Sequence, residues 1–286
     1  MNRQGPNGIS YLDWSWSVAV GCTHGCPWCW ARRQAKRQRK NCQRCYDFTP
    51  HLHPERLGEP LRKRKPSVIG VAFMGDLFDP TLPDDDVCRV FDTIRASEVY
   101  PKGHTFVILT KQPNRMADVC RRLRFISDST CPEGATWLAE SSDNSEGGYA
   151  FMGGLPGTKP LPNVVLGVSI EDQPSADRLI PELLECPAAT RIVSIEPMLG
   201  PVDVRPYLPM LPLDGGHLIK KQGLDGVILG GQTGPGAAPM HPDWVRKVRD
   251  DCAAAGVPFY LKSLGPGLGR VLDGRTHDET AWKGGG

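Results

Sequence analysis

The sequence predicts an α/β fold, a partial TIM-type βα barrel of six or seven units with one irregular insertion. Three observations carry this. Short apolar runs alternate with helical patterns along most of the 286 residues. Those runs are near-continuously apolar rather than alternating, as in a parallel sheet covered on both faces. The length suits a single α/β barrel, and 40% hydrophobic content suffices for a packed core. A doubly wound open sheet is the second architecture compatible with the alternation.

The elements follow in order. Ser15–Gly21 (SWSVAVG) reads as a strand, and a cysteine-bearing loop comes directly after it. Trp30–Lys40 reads as a helix with one polar face, and Ser67–Gly75 (SVIGVAFMG) as a buried strand. Pro83–Glu98 is a helix with proline and acids in its first turn. His104–Thr110 is a strand, Asn114–Ile126 a helix, Asn163–Ile170 a strand and Ser175–Glu185 a helix. Thr190–Pro197 and Asp225–Gly231 are strands, Pro242–Gly256 a helix ending in glycine, and Val257–Ser263 a last strand. A single domain is expected over 1–265, with a Gly, Ser and Pro-rich insertion at 127–161 and a loosely ordered tail at 266–286. The stretch 200–223 is proline-rich and irregular, at a place where the alternation calls for a helix. In such folds active-site residues sit just after the strands, at their C-terminal ends.

No run of about 18 apolar residues offers a membrane span, and the first residues lack the apolar stretch of a signal peptide. A cytoplasmic protein is expected. Its ten cysteines then point to metal binding or chemistry rather than disulfides. Net charge is only +2, but residues 32–65 carry twelve Lys/Arg against three acids, leaving −7 for the remainder. Such asymmetry fits a polyanionic partner, DNA or RNA, or else a solvated helix face beside a basic loop.

The stretch VGCTHGCPWCWARR places Cys22, Cys26 and Cys29 in a C-x3-C-x2-C spacing. Structural zinc usually takes four protein ligands. Three thiolates on one tight loop can instead bind three irons of a [4Fe–4S] cubane and leave the fourth iron open for something from solution.

The spacing, with Trp28 just before the third cysteine and a strand just before the loop, resembles the radical S-adenosylmethionine (radical SAM) superfamily. The resemblance implies a βα barrel and an open iron chelated by the amino and carboxylate groups of S-adenosylmethionine. It also implies reductive cleavage to a 5′-deoxyadenosyl radical, with electrons from an external flavodoxin- or ferredoxin-like donor. DWSWSVAVGCTHGCPWCWARR, FTPHLHPERL, MGDLFDP, LTKQPNRM, VSIEPMLGPV and the stretch from VILGGQTGPG to VPFYLK together look like the phage gene-product-thirty-seven/sixty-eight family, which brings no assigned substrate. Under the superfamily resemblance Gly75 and Asp76, after the second strand, would receive the methionine amino group. Ser169 and Glu171, ending the fourth strand, and Ser194 and Glu196, ending the fifth, would meet the ribose hydroxyls or the methionine carboxylate surroundings. Gln232 and Thr233, in GGQTGPG, would lie near the adenine. No residue is assigned to the chemistry of the substrate itself.

Read from the residues alone, the two S-I-E strand ends form a pair of inward polar positions at one barrel level, and Lys111 is a candidate partner for a buried carboxylate there. Trp14, Trp16, Trp28 and Trp30 bracket the cysteine loop as a water-excluding shield or as barrel-end core. Cys42 and Cys45 (NCQRC), with His51 and His53 close behind, fit a zinc site, an auxiliary cluster or an accessory thiol pair, with plainly packed histidines as the bland alternative. Cys88, Cys120, Cys186 and Cys252 fall among apolar helical residues and read as buried cysteines; Cys131, in the insertion, has no reading. Two other functions fit the same residues. One is a zinc-stabilised nucleic-acid-binding protein that closes a site on Cys22, Cys26 and Cys29 with His24 or one of Cys42 and Cys45. The other is a peptide-modifying radical enzyme with an auxiliary cluster on Cys42 and Cys45.

Overall fold

The computed structural model describes residues 1–5, 8–39, 41–99, 103–123, 160–212, 218–220, 222–234, 236–237 and 239–282. Its strands are β1 (Asn2–Arg3), β2 (Trp14–Trp16), β3 (Ala19–Val20), β4 (His51–Leu52), β5 (Val68–Val71), β6 (Thr105–Thr110), β7 (Val164–Ile170), β8 (Thr190–Ile195), β9 (Met210–Pro212), β10 (Leu218–Lys220), β11 (Gly226–Gly230), β12 (Phe259–Ser263), β13 (Val271–Leu272) and β14 (Arg275–Thr276). The α-helices are α1 (Trp30–Ala35), α2 (Gln43–Asp47), α3 (Asp84–Val99), α4 (Pro113–Leu123), α5 (Gln173–Leu184) and α6 (Pro242–Ala255).

Eight strands form one sheet in the order β1-β2-β5-β6-β7-β8-β11-β12. From β2 to β12 every neighbouring pair is parallel; β1 adds an antiparallel edge. The sheet curls into a half-barrel, and β1 and β12 are its two edges rather than partners. Helices α3, α4, α5 and α6 make the crossovers between consecutive parallel strands. Between β8 and β11 the described residues contain no α-helix, only a 3₁₀ turn at Arg205–Tyr207 and the antiparallel pair β9–β10.

Local chemistry sets the helix ends. Asp172 caps α5, its side chain accepting from Ser175 N while Ser175 Oγ accepts in return from the Asp172 backbone. Gly256, at φ +66, ends α6 in the left-handed conformation that glycine adopts without a Cβ penalty.

Strand residues alternate between two apolar layers, which explains why the runs show no polar alternation. One set, including Phe106, Leu166, Val193 and Leu229, joins the main core with Phe91, Met116, Leu179 and Val248 from the helices. The other set lines the concave side. There Val107, Val165, Ile192, Ile228 and Tyr260 pack with Tyr11 and Leu12, and Trp282 covers them. Moving along the same inner positions toward the C-terminal strand ends, the side chains turn polar. Val107 gives way to Lys111, Val165 to Ser169 and Glu171, Ile192 to Ser194 and Glu196, and Tyr260 to Lys262. The concave side is thus plugged at one end and polar at the other.

The segment 266–282, expected to be loosely ordered, packs back onto the sheet. Asp278 bridges Tyr260, Leu261 N donates to His277 O at 2.9 Å, and Leu272 and His277 are buried. Asp273 takes ion pairs from Arg246 and Arg249 of α6. A composition rich in Gly and charge conceals this because the contacts are made one residue at a time. The insertion expected at 127–161 lies outside the described residues except Pro160 and Leu161, and Cys131 lies outside them with it. Among the described residues no helix is long and apolar enough to cross a membrane.

Candidate functional site

The cysteine loop leaves β3 at Gly21, and that glycine and Gly75 fix its position. A Cβ on Gly75 would lie 2.4 Å from Gly21 O, and one on Gly21, at φ +94, would lie 2.4 Å from the Thr49 carbonyl carbon. Only a residue without a side chain allows backbones this close. Gly21 N donates to Met74 O and Asp76 N donates to Gly21 O, both at 3.1 Å. The loop is therefore sewn to the turn after β5. Asp79 Oδ2 holds it further along, accepting from Thr23 N at 2.6 Å and Thr23 Oγ1 at 2.8 Å. Cys29 then caps α1, its sulfur accepting from Arg32 N at 3.4 Å.

Burial raises the Asp79 carboxyl, but the hydrogen bonds from Thr81 and Thr23 outweigh it and leave its pKa below the ordinary carboxylate value. The unfolded chain then binds the proton more readily, so Asp79 stabilises the fold above its unfolded pKa, about 3.9, and that contribution disappears as pH falls through the lower folded value. Asp79→Asn is expected to flatten the acid limb of stability measured by urea unfolding between about pH 5 and pH 2. An unchanged acid limb would remove Asp79 from this role.

Past this junction lies a cavity of about 180 Å³ at the C-terminal strand ends. Cys22, His24, Cys26, Trp28 and Cys29 form one wall; Gly75, Asp76, Lys111, Ser169, Glu196, Gln232 and Thr233 form the others. Burial pushes the Cys22 thiol up to about 12 and raises Cys26 as well. A cation bound there must displace those protons, which makes binding pH-dependent. Two ion pairs span the rim, Lys111 with Glu171 and Lys262 with Glu196. Arg33 ties the helix after the cysteine loop to the opposite rim, donating to Trp28 O at 2.9 Å and Thr233 O at 3.2 Å.

A second group lies behind this loop. Cys42, Cys45, His51 and His53 place one ligand atom each within 4.8 Å of one another, and among the described residues they are the His, Cys, Asp and Glu group so arranged. Cys45 Sγ is 3.1 Å from His53 Nε2 and 3.5 Å from His51 Nε2, and Cys42 Sγ is 3.6 Å from His51 Nε2. Both imidazoles are oriented from behind, His51 Nδ1 by Thr49 O at 2.8 Å and His53 Nδ1 by Glu55 Oε1 at 2.9 Å. This outer arrangement turns each Nε2 toward the sulfurs, as in metal-ligating histidines. Burial, followed by the neighbouring Cys42, pushes the Cys45 thiol up to about 12, and burial lowers His51. The four residues can hold a metal ion such as zinc.

One family model matches residues 6–282, that of the Protein of unknown function (DUF5131). The chain belongs to this family. No curated protein and no solved structure matches it.

The structure brings Cys22, Cys26, Trp28, Cys29, Gly75, Asp76, Ser169, Glu196, Gln232 and Thr233 to one cavity. Ser194 lines an adjoining hollow with Lys262, and Glu171 reaches the rim through Lys111. Ser169 and Ser194 are register partners on β7 and β8, so the two S-I-E ends stand at one level. Several of these residues also have packing partners. Asp76 is enclosed by donors: Thr110 Oγ1 at 2.7 and 2.9 Å, Phe78 N at 2.9 Å and Lys111 N at 3.0 Å. It braces β5 against β6 and also lines the cavity. Gly75 makes its close approach to the cysteine loop, and Gly231 to Gly265, where a Cβ would lie 2.8 Å away. Trp28 and Trp30 line the cavity, while Trp16 is fully buried in the main core with its Nε1 donating to Arg56 O, and Trp14 lies under Lys63. Cys42 and Cys45 face His51 and His53, so neither is placed to complete a site with Cys22, Cys26 and Cys29. Sequence reasoning misses Asp79 and Lys262. A second acid in MGDLFDP and a lysine inside an apolar strand are the signals that could have found them.

Proposed function

We propose that this chain is a radical SAM enzyme acting on a nucleic acid or nucleotide. The observation that carries the reading is the convergence of Cys22, Cys26 and Cys29, from one loop, on a single cavity at the polar end of a parallel half-barrel. In this reading the three thiolates hold a [4Fe–4S] cluster and S-adenosylmethionine fills the remaining iron position. Such a cluster would pass one electron from a flavodoxin- or ferredoxin-like donor to the sulfonium, whose C–S bond would break to methionine and a 5′-deoxyadenosyl radical. The chain's own part is positional. The Gly21–Gly75 junction and Asp79 set the loop, Trp28 and Trp30 limit water at the cavity, and Ser169, Glu196, Gln232 and Thr233 offer polar atoms to a polar cofactor. Lys111 and Lys262 keep the rim carboxylates neutralised until a substrate competes for them.

The test is reductive incubation of the anaerobically reconstituted protein with S-adenosylmethionine. Release of 5′-deoxyadenosine supports the reading; a protein loaded with about four irons that releases none overturns it.

For the second group we infer a single tetrahedral ion, zinc, rather than an auxiliary cluster. Two sulfurs and two nitrogens at bond lengths of about 2.3 and 2.0 Å around one ion stand roughly 3.3–3.8 Å apart, close to the 3.1–3.6 Å of three of the four sulfur–Nε2 pairs, the whole group lying within 4.8 Å.

The substrate class rests on charge. Arg33, Arg37 and Arg56 line a groove of about 970 Å³ that reaches Glu196 and Lys262 at the cavity rim. Arg33 and Arg56 also donate to backbone carbonyls, Trp28 O and Thr233 O for the first and Ser17 O for the second, Arg32 stacks over Phe48 and Arg44 donates to Pro50 O, so Arg37 is the groove arginine on which the test is placed. Binding of a single-stranded oligonucleotide is expected to weaken with salt, and Arg37→Ala is expected to reduce the log–log slope by about 0.7 for each phosphate it no longer neutralises. Salt-independent affinity would sink the substrate class and leave the radical chemistry standing.

A further inference from the structure

We propose that the ion held by Cys42, Cys45, His51 and His53 is a structural lock that sets the conformation of the cysteine loop. This rests on the tetrahedral reading of that group and is independent of the radical chemistry.

The two sites share a seam. His51 belongs to β4, which pairs with β3 in the register Val20↔His51, and β3 runs directly into Cys22. Cys45 belongs to α2, a helix of only five residues, far too short to persist on its own propensity. The chain turns from α2 to β4 at Phe48, a non-glycine residue in the left-handed region at φ 59. Such backbone is costly for a residue with a side chain and persists only where its surroundings over-determine it. One ion bonded to Cys45 on one side of Phe48 and to His51 and His53 on the other closes that turn.

Phe48 is also the contact through which the lock acts. Its carbonyl accepts from Cys22 N at 3.3 Å, and its ring packs with Ala31 and Ala35 against Cys22 and Cys29. Next to it, Thr49 orients His51 with its carbonyl oxygen while its carbonyl carbon walls the space where a Gly21 side chain would go. Opening the turn at Phe48 therefore removes the floor beneath two of the three cavity thiols.

The experiment uses the full chain, purified without added metal. Zinc and iron are quantified, Co²⁺ is exchanged in, and alkylation of Cys22, Cys26 and Cys29 is mapped by mass spectrometry before and after zinc removal with a chelator, in protein first freed of iron so that no cluster shields these thiols. The lock predicts one zinc per chain, tetrahedral thiolate–cobalt absorption, and alkylation of Cys22 and Cys29 that quickens about tenfold or more on zinc removal, equivalent to ~1.4 kcal/mol of loop stability. Re-addition of Zn²⁺ restores protection. His53→Gln is made as a milder lesion than Cys42→Ser with Cys45→Ser, because the double variant can fail to fold. It should weaken zinc binding and expose Cys22 and Cys29 in step. Absence of zinc and of the cobalt spectrum overturns the tetrahedral reading. Zinc that comes and goes with the alkylation of Cys22 and Cys29 unchanged leaves that reading intact and overturns the lock.

Discussion

Replacing Cys29 with alanine is expected to abolish 5′-deoxyadenosine release, by about a hundredfold or more. Loss of outer-shell support alone costs 10–100-fold at metal sites, and Cys29 is proposed as a direct ligand. The variant should also lose iron after anaerobic reconstitution. The change is not structurally silent, because Cys29 caps α1, so Cys29→Ser serves as the companion. Its hydroxyl keeps a hydrogen-bond acceptor for Arg32 N while substituting an oxygen for the soft thiolate that iron–sulfur clusters take. If the serine variant folds as the wild type and fails to release product, the cap is not the cause. Full turnover by either variant would remove Cys29 from the proposed site.

The second large effect is expected at Gly75. A Cβ there meets the Gly21 backbone at 2.4 Å from O and 2.6 Å from N, and backbone cannot swing aside as a side-chain tip can. Gly75→Ala should force the turn after β5 away from the cysteine loop at a cost of about 3 kcal/mol, the upper range for overpacking. For a chain of this size that corresponds to a fall in Tm of roughly 5 °C. Gly200→Ala, where nothing lies within 4 Å of the added Cβ, is the control and should stay within about 0.5 kcal/mol. A Gly75→Ala protein as stable as wild type would mean the junction is looser than its spacing implies. A stable variant that has lost cluster binding would locate the damage in the loop alone.

The fold is legible because its information is local and repeated. An apolar run followed by an amphipathic helix recurs from β5 to α5, and five of the expected strands overlap strands of the sheet over most of their length, while the one expected at Ser67–Gly75 keeps only Val68–Val71. Where the pattern misleads, a local exception intervenes. The run 15–21 reads as one strand, yet only Trp14–Trp16 joins the main sheet, while Ala19–Val20 turns away to pair with β4. The helix expected at 30–40 gives way to a 3₁₀ turn after Ala35, because beyond that point the segment is strongly basic and has no apolar face to bury.

The sequence alone determined the parallel α/β class and the C-x3-C-x2-C loop directly after a strand, and it put Cys42 and Cys45 close to His51 and His53 along the chain. Each of these rests on spacing along the chain, and spacing is what residues record directly. Tertiary structure alone decided that the sheet stays a half-barrel, that Asp76 is a brace and Asp79 an anchor, that Glu196 is answered by Lys262 from a strand 66 residues away, and that the metal group and the cysteine loop meet across Phe48. Those outcomes depend on which backbones come within a few ångströms after folding. Packing sets that distance between segments far apart in the chain, and no pattern within either segment records it.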